Sequence, residues 1–372
     1  MKNNWEIKML GEILSLEYGK PLSDADRKLE GKFPVYGANG IKSRSDKYYY
    51  DKPTVIVGRK GSAGEIIIVE EKFWPLDVTY FVTFDDSKYN LKFLFLLLKG
   101  LNLPSYATGV KPGINRNEIY SIKVEVPPLT EQKRIVKILD EKFGAIEELK
   151  KVTEQQIVDA KELFESRLSE VFSDSLTWSR ICVGDLGATQ TGNTPKTSEK
   201  SLYGNYIPFI KPADIDFDGR GSINFNGIGL SEIGYKLSRK IMSNSVLMVC
   251  IGATITKVGF STQEVTTNQQ INSVTPSDKF ISKFIYYEMR TKRFRDDVIK
   301  KSSQATLPII NKSNWSDLEI VFPNLNEQKQ IVKELDELSG KTKELEAIFR
   351  RKIADLDELK KSYLEQAFSG KL

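Results

Sequence analysis

Apolar residues recur with two different periods along this 372-residue chain, and the two alternate. Over 129–173, and again over 325–369, apolar positions return every three to four residues, the spacing of one helix face. Between and before them lie short apolar runs broken by Gly, Pro and Asn, the pattern of strands and turns. Such runs are FPVYGANG (33–40), VIVGRKGSAGEIIIVEE (55–71), IPFIKPADI (207–215) and VLMVCIGATITKVGF (246–260). The run FLFLLL (93–98) is too short to cross a bilayer and predicts a core element.

The two helical stretches are copies. Residues 129–173 and 325–369 align without a gap, and 21 of 45 positions are identical. Glu131/Glu327, Gln132/Gln328, Gly144/Gly340, Leu149/Leu345, Leu163/Leu359 and Phe172-Ser173/Phe368-Ser369 are shared landmarks. Each follows a proline break, VPPLTEQ or FPNLNEQ, which predicts Thr130 and Asn326 as N-caps without a full capping box. The near-heptad period predicts a coiled coil whose interface holds Leu139, Ile146, Leu149, Ala160 and Leu163 of the first copy. From the second come Leu335, Leu338, Leu345, Phe349, Leu356, Leu359 and Tyr363. At about 1.5 Å per residue each helix spans roughly 65 Å.

The segments ahead of the helices echo one another more faintly. Both open on Trp, WEIKMLGEI and WSRICVGDL, and both close on a turn and strand, INRNEIYSIKVEVP and INKSNWSDLEIVFP. Their Trp-to-Pro spacings differ by 23 residues, whereas the helices match in length. The expected architecture is therefore α+β. It is a tandem repeat of a globular unit (1–126), a long helix (127–176), a second globular unit (177–321) and a second long helix (322–372).

Composition narrows the chemistry. The chain has no histidine, which removes Ser-His-Asp and Cys-His nucleophiles and histidine-bound metal. Cys182 and Cys250 stand too far apart for a metal motif and give no disulfide framework. They suit a reducing cytoplasm, as does an N-terminal stretch without an apolar h-region. Net charge is +3 over 1–126 and +5 over 177–321, against −3 for the helical segments together, so positive charge gathers where phosphate contact is expected.

The paired openings PPLTEQKRIVKILDE and PNLNEQKQIVKELDE, the terminal AFSGKL and the strand-loop VGRKGSAG resemble the specificity subunits of type I restriction-modification systems. That resemblance covers the whole chain. It implies two target recognition domains, each reading one half of a split double-stranded DNA site. The helices would pair antiparallel as spacer and as dock for two methyltransferase subunits and for restriction subunits. It implies no catalytic residue, metal or cofactor here; S-adenosylmethionine would belong to the methyltransferase, and ATP and magnesium to the restriction subunit. DNA rewards readers set near multiples of a helical turn, about 34–36 Å, which gives a rigid spacer its use. A coiled-coil adaptor binding only proteins is one alternative. A DNA-acting enzyme is another, but VPPL (126–129) lacks the polar-Pro-Pro-aromatic pattern of adenine methyltransferases, and PLD (75–77) with DDSK (85–88) only imitates a nuclease site.

Candidate DNA-contacting residues are cations beside glycines and amides in polar loops. The first unit offers Asn39, Lys42 and Arg44 on a turn among tyrosines, Arg59 and Lys60 in GRKGSAG, and Lys111, Asn115 and Arg116 in TGVKPGINRNE. Asn115 also reads as a helix N-cap. GRKGSAG lacks the spacing and context of a dinucleotide site. In the second unit TQTGNTPKTS offers Gln190, Asn193 and Lys196, and TTNQQINS offers Asn268, Gln269 and Gln270, either to adenine or as a solvated hairpin. The basic stretch RTKRFRDDVIKK offers Arg290, Arg293 and Arg295 to phosphate; Lys257, Asn311 and Lys312 complete the set.

Overall fold

The run Thr54–Gly58 is buried at every position, as a strand covered on both faces must be, and its counterpart Ser245–Val249 is the same. These two strands centre two sheets of identical order in a computed structural model that describes residues 4–173, 177–216, 223–225, 227–303 and 307–372. The chain divides into two units, Met1–Glu154 with Arg351–Leu372, and Gln155–Arg350.

In the first unit the chain forms β1 (Glu6–Met9), α1 (Leu10–Ile13), β2 (Leu14–Tyr18), β3 (Phe33–Gly37), β4 (Gly40–Ser45) and β5 (Thr54–Gly58). There follow β6 (Ile66–Val69), β7 (Trp74–Pro75), β8 (Thr79–Phe84), α2 (Leu91–Gly100), α3 (Arg116–Tyr120), β9 (Lys123–Val126) and the start of α4 (Leu129–Ser173). The main sheet is ordered β2-β8-β5-β6 and antiparallel throughout, while β3 carries β4 on one edge and β7, parallel, on the other. FLFLLL lies in α2, which Asn90 caps by accepting from the Phe93 amide at 3.0 Å.

The second unit repeats this order with insertions: β10 (Ser179–Cys182), β11 (Gly187–Thr191), β12 (Tyr203–Gly204), β13 (Phe209–Ile210), β14 (Gly229–Leu230), α5 (Glu232–Lys236) and β15 (Ser245–Val249). It continues through β16 (Val258–Ser261), β17 (Thr266–Thr267), β18 (Ile271–Pro276), α6 (Ser282–Met289), α7 (Lys292–Lys301), α8 (Lys312–Ser316), β19 (Glu319–Phe322) and α9 (Leu325–Phe368). The sheet β11-β18-β15-β16 matches β2-β8-β5-β6 strand for strand, and β10-β19 matches β1-β9.

Both long helices begin earlier than their sequence suggests, so Thr130 and Asn326 are not the caps. Pro128 precedes α4, its carbonyl taking the Glu131 and Gln132 amides at 2.9 and 3.0 Å. Asn324 caps α9, its Oδ1 accepting from the Asn326 and Glu327 amides, both at 3.1 Å. What the shared Gln does is clear from its surroundings. Gln132 is 1% exposed; its Oε1 accepts from the Asn90 amide (2.8 Å), and its Nε2 donates to the carbonyls of Pro127 (2.9 Å) and Lys88 (3.1 Å). Gln328, equally buried, accepts from the Ile281 amide (3.0 Å) and donates to the Pro323 carbonyl (2.9 Å). Eight residues on along each long helix, the repeat also reuses an ion pair: Lys92–Asp140 at 2.8 Å and Lys283–Asp336 at 2.7 Å. The copied motif thus locks each long helix to the helix of its own sheet.

Within the first unit α4 and α9 run antiparallel, with Glu147 paired to Lys360 (2.7 Å) and Lys150 to Asp357 (2.8 Å). Within the second, Arg167 meets Glu334 at 2.5 Å. The buried stripe departs from a strict heptad. On α4 it passes through Gln132, Leu139, Ile146, Thr153 and Ala160 at intervals of seven, then through Phe164, Leu168 and Phe172 at intervals of four. The last three leave the coiled-coil register because they fill the second unit's core, where Phe172 meets Phe284 at 5.3 Å. Leu335 and Leu356 are buried, and Leu338, Phe349 and Tyr363 partly so. Leu149, Leu163, Leu345 and Leu359 are not: they are 40–54% exposed, since a 3.6-residue helix drifts about 20° per heptad away from a 3.5 seam.

Candidate nucleic-acid interface

In the first unit two loops are stitched edge to edge at the end of the sheet. The loop after β5 folds back on itself through Gly64 N–H to Gly58 O (2.8 Å) and meets the loop before α3 through Ile114 N–H to Arg59 O (3.0 Å) and Gly61 N–H to Pro112 O (3.3 Å). Gly61 has φ +81°, and Gly64, at +85°, lies so close to Pro104 that a Cβ would fall 2.3 Å from its nitrogen. This frame gathers cations around Tyr18, which is 45% exposed at the end of β2. The guanidiniums of Arg59 and Arg116 lie 5.4 and 4.8 Å from its ring centroid. Arg59 Nε and Nη2 both donate to the Asp77 carbonyl (2.9 and 2.7 Å), and Arg116 Nη1 donates to Leu16 O (3.2 Å). Each fork is held along one edge and presents another. Lys60 and Lys111 are exposed on the same two loops. Below Tyr18, burial first and the Tyr18 hydroxyl second push Tyr80 up to about 12.

The second unit builds the same frame. Gly252 N–H donates to Pro308 O (3.0 Å) and Ile310 N–H to Cys250 O (2.9 Å), while Thr256 N–H donates to Val249 O (3.0 Å). Gly252, at φ +106°, stands where the first unit has Gly61, and Thr256, at φ +77°, where it has Gly64. A β-branched residue held there stores on the order of 1–3 kcal/mol of backbone strain. Pro112, Ile114 and Asn115 recur as Pro308, Ile310 and Asn311, but the other side chains on the frame differ. Cys250 and Ile251 replace Arg59 and Lys60, Leu307 replaces Lys111, and Lys312 replaces Arg116. Burial pushes the Cys250 thiol up to about 12, so it is inert as a nucleophile at neutral pH. One scaffold carries two chemistries, basic in the first unit and largely neutral in the second.

The remaining candidates divide by burial. Asn39, on the β3–β4 turn, and Lys42, in β4, are exposed; the turn lies beside Gly58, where a Cβ would lie 2.9 Å from Ala38 O. Lys196 is exposed and paired with Glu199 at 3.4 Å; Lys312 is exposed; Arg295 is half-buried. Asn115 and Asn311 are N-caps of α3 and α8, accepting from the Asn117 (3.0 Å) and Asn314 (2.8 Å) amides. Arg44 braces its hairpin through Gly31 O (2.6 Å) and Lys32 O (3.0 Å). Lys257 turns inward to Ile215 O at 2.9 Å.

TTNQQINS is no solvated hairpin. Thr266 and Thr267 are buried, Asn268 is 8% exposed and donates to Gln270 Oε1 (2.8 Å), and Gln269 accepts from the Thr194 hydroxyl. Nor is Arg290 a phosphate contact: at 5% exposure it pairs with Glu165 and donates to the Tyr286 hydroxyl, both at 3.0 Å, over the Phe164 ring. Arg293 joins the fully buried Glu288 to Asp297 and the Glu319 carbonyl. Alternating charge along the sequence concealed that α6 and α7 turn these arginines onto the core. Gln190 and Asn193 hold backbone, Gln190 donating to Lys240 O and Asn193 to Leu237 O at 3.4 Å. Residues that sequence reasoning passed over are Tyr18, Arg239 and Lys240; no short motif marks them, because pairing to a distant strand end places them.

Among the described residues no group of three Cys, Asp or Glu could hold a metal ion, and no helix is long and apolar enough to cross a membrane. The family described as Type I restriction modification DNA specificity domain matches residues 2–158 and 176–353. The chain is 32% identical over 154 residues to the type I restriction enzyme HindI specificity subunit of Haemophilus influenzae, a match spanning 40% of this chain and only about a third (32%) of that subunit. It is 22% identical to the MjaVIII specificity subunit of Methanocaldococcus jannaschii across 99% of this chain and 93% of that one. Its fold is similar to a chain solved in work on complex assembly and conformational transition of the type I R-M system (TM-score 0.76, 18% identity, 100% and 99% covered). It is also similar to the HsdS subunit of Thermoanaerobacter tengcongensis (0.60, 18%, 100% and 98%).

Proposed function

The chain belongs to the type I restriction modification DNA specificity domain family, matched in both repeats, and on that premise we propose that it is the DNA-reading subunit of a type I restriction-modification complex. Each unit reads one half of a bipartite, asymmetric double-stranded site, and α4 and α9 serve as spacer and dock. The observation that carries this is the shared loop frame at Gly61 and Gly252 bearing unlike side chains. Equal backbones present two readers in the same way, and unequal surfaces read unequal sequences.

The docking role rests on positions left bare in both copies. Leu149 and Leu345, Val152 and Ile348, and Leu163 and Leu359 are all exposed, and at Gly144 and Gly340 a Cβ would meet nothing within 4 Å. Mid-helix glycine costs about 1 kcal/mol against alanine, which argues for close approach of another backbone there. Two methyltransferase subunits, one per repeat, fit this duplication, with restriction subunits joining them. The chain positions these partners in the cytoplasm and performs no chemistry itself; S-adenosylmethionine, ATP and magnesium belong to the partners. Replacing residues 1–126 by another member's first unit should change one half of the methylated motif mapped by sequencing. A change in both halves overturns modular reading.

A further inference from the structure

The second unit keeps a single exposed cation, Lys312, on its loop frame, yet exposes two more nearby. In the segment 237–242, Leu237 (65% exposed), Arg239, Lys240 and Met242 (55%) point outward, while Ser238 and Ile241 are buried. Ile241 exchanges two 2.9 Å backbone hydrogen bonds with Val265, which fixes the segment from below.

Its upper edge is tied to the end of β11. Arg239 Nη1 donates to Thr191 O (2.6 Å), and the Arg239 amide to Asn193 Oδ1 (2.8 Å). Asn193 and Gln190 donate in turn to the carbonyls of Leu237 and Lys240. By sheet register Thr191, opposite Asn272, is the counterpart of Tyr18, opposite Tyr80. Where the first unit stacks Arg59 and Arg116 on Tyr18, the second therefore seats Arg239 on the equivalent strand end. Lys240 rests 4.5 Å from the Tyr235 ring, whose hydroxyl donates to Glu264.

Building on the DNA-reading function above, we propose that residues 237–242 are the duplex-contacting element of the second unit. Arg239 and Lys240 meet backbone phosphates, and Leu237 and Met242 lie against the groove. Two cations flanked by two bare apolar side chains suit a groove floor bordered by phosphates, the chemistry of apolar insertion beside charge neutralisation.

The test is binding of the full chain to a duplex bearing its methylation-mapped site, measured against salt. Arg239→Gln with Lys240→Gln should lower the slope of log affinity on log salt by about two and weaken binding at least tenfold at low salt, and Arg239→Lys should keep the slope. Leu237→Ala with Met242→Ala should weaken binding without changing the slope, since apolar contacts release no counterions. Lys60→Gln with Lys111→Gln in the first unit is the companion measurement. If it lowers the slope while the Arg239/Lys240 pair does not, the inference fails and DNA reading stands. If neither pair moves the slope, DNA reading itself falls.

Discussion

The buried Gln at the start of each long helix makes a quantitative claim about why the motif is written twice. Gln132→Ala removes three hydrogen bonds to backbone groups, at 2.8, 2.9 and 3.1 Å, from a side chain 1% exposed. Each buried group left unpaired costs about 1–3 kcal/mol, and incomplete solvent exclusion keeps the sum nearer 3–5 kcal/mol. Gln328→Ala removes two such bonds, at 3.0 and 2.9 Å, and should cost about 1 kcal/mol less. The loss should be local: hydrogen exchange should quicken over α2 and the start of α4 for the first variant, and over α6 and the start of α9 for the second. Urea unfolding supplies the totals. Gln132→Glu adds a check, because its carboxylate would face the Pro127 and Lys88 carbonyls; burial and those carbonyls would raise its pKa. Stability should therefore return as the pH falls and the acid regains a proton to donate. Costs below about 1 kcal/mol for both alanine variants, or exchange spread over both units, would show that the glutamines do not hold the helices.

Two further outcomes follow from the buried charges of α6. Arg290→Ala should destabilise the second unit by about 2–3 kcal/mol, through loss of Glu165 and Tyr286, and leave the salt slope of DNA binding unchanged; a lower slope would restore it as a phosphate contact. Glu288 is fully buried, and burial raises its carboxyl to about 7 from 4.5 against the opposing pull of Arg293. Its raised pKa gives stability present below pH 4.5 and lost as pH climbs through 7, so Glu288→Gln should gain on the wild type in thermal midpoint between pH 5 and 8. A constant difference across that range would refute the raised value.

The amino-acid order alone determined the tandem plan, the two long helices and the strands that precede them. Each is a one-dimensional period, and burying one face of a helix or both faces of an inner strand leaves that period in the residues. Family resemblance was legible for the same reason, since it rests on contiguous stretches such as TEQKRIVKILDE. The folded chain decided what contiguity cannot carry. Only strand register shows that Thr191 answers Tyr18, and hence that Arg239 takes the place of a stacked arginine. Helix packing alone turned Arg290 inward and Leu149 outward, although both lie in patterns that promise the reverse. A cation's reach and a leucine's cover depend on neighbours tens to hundreds of residues away. The local pattern set the elements, and the distant pairings set what each exposed side chain meets.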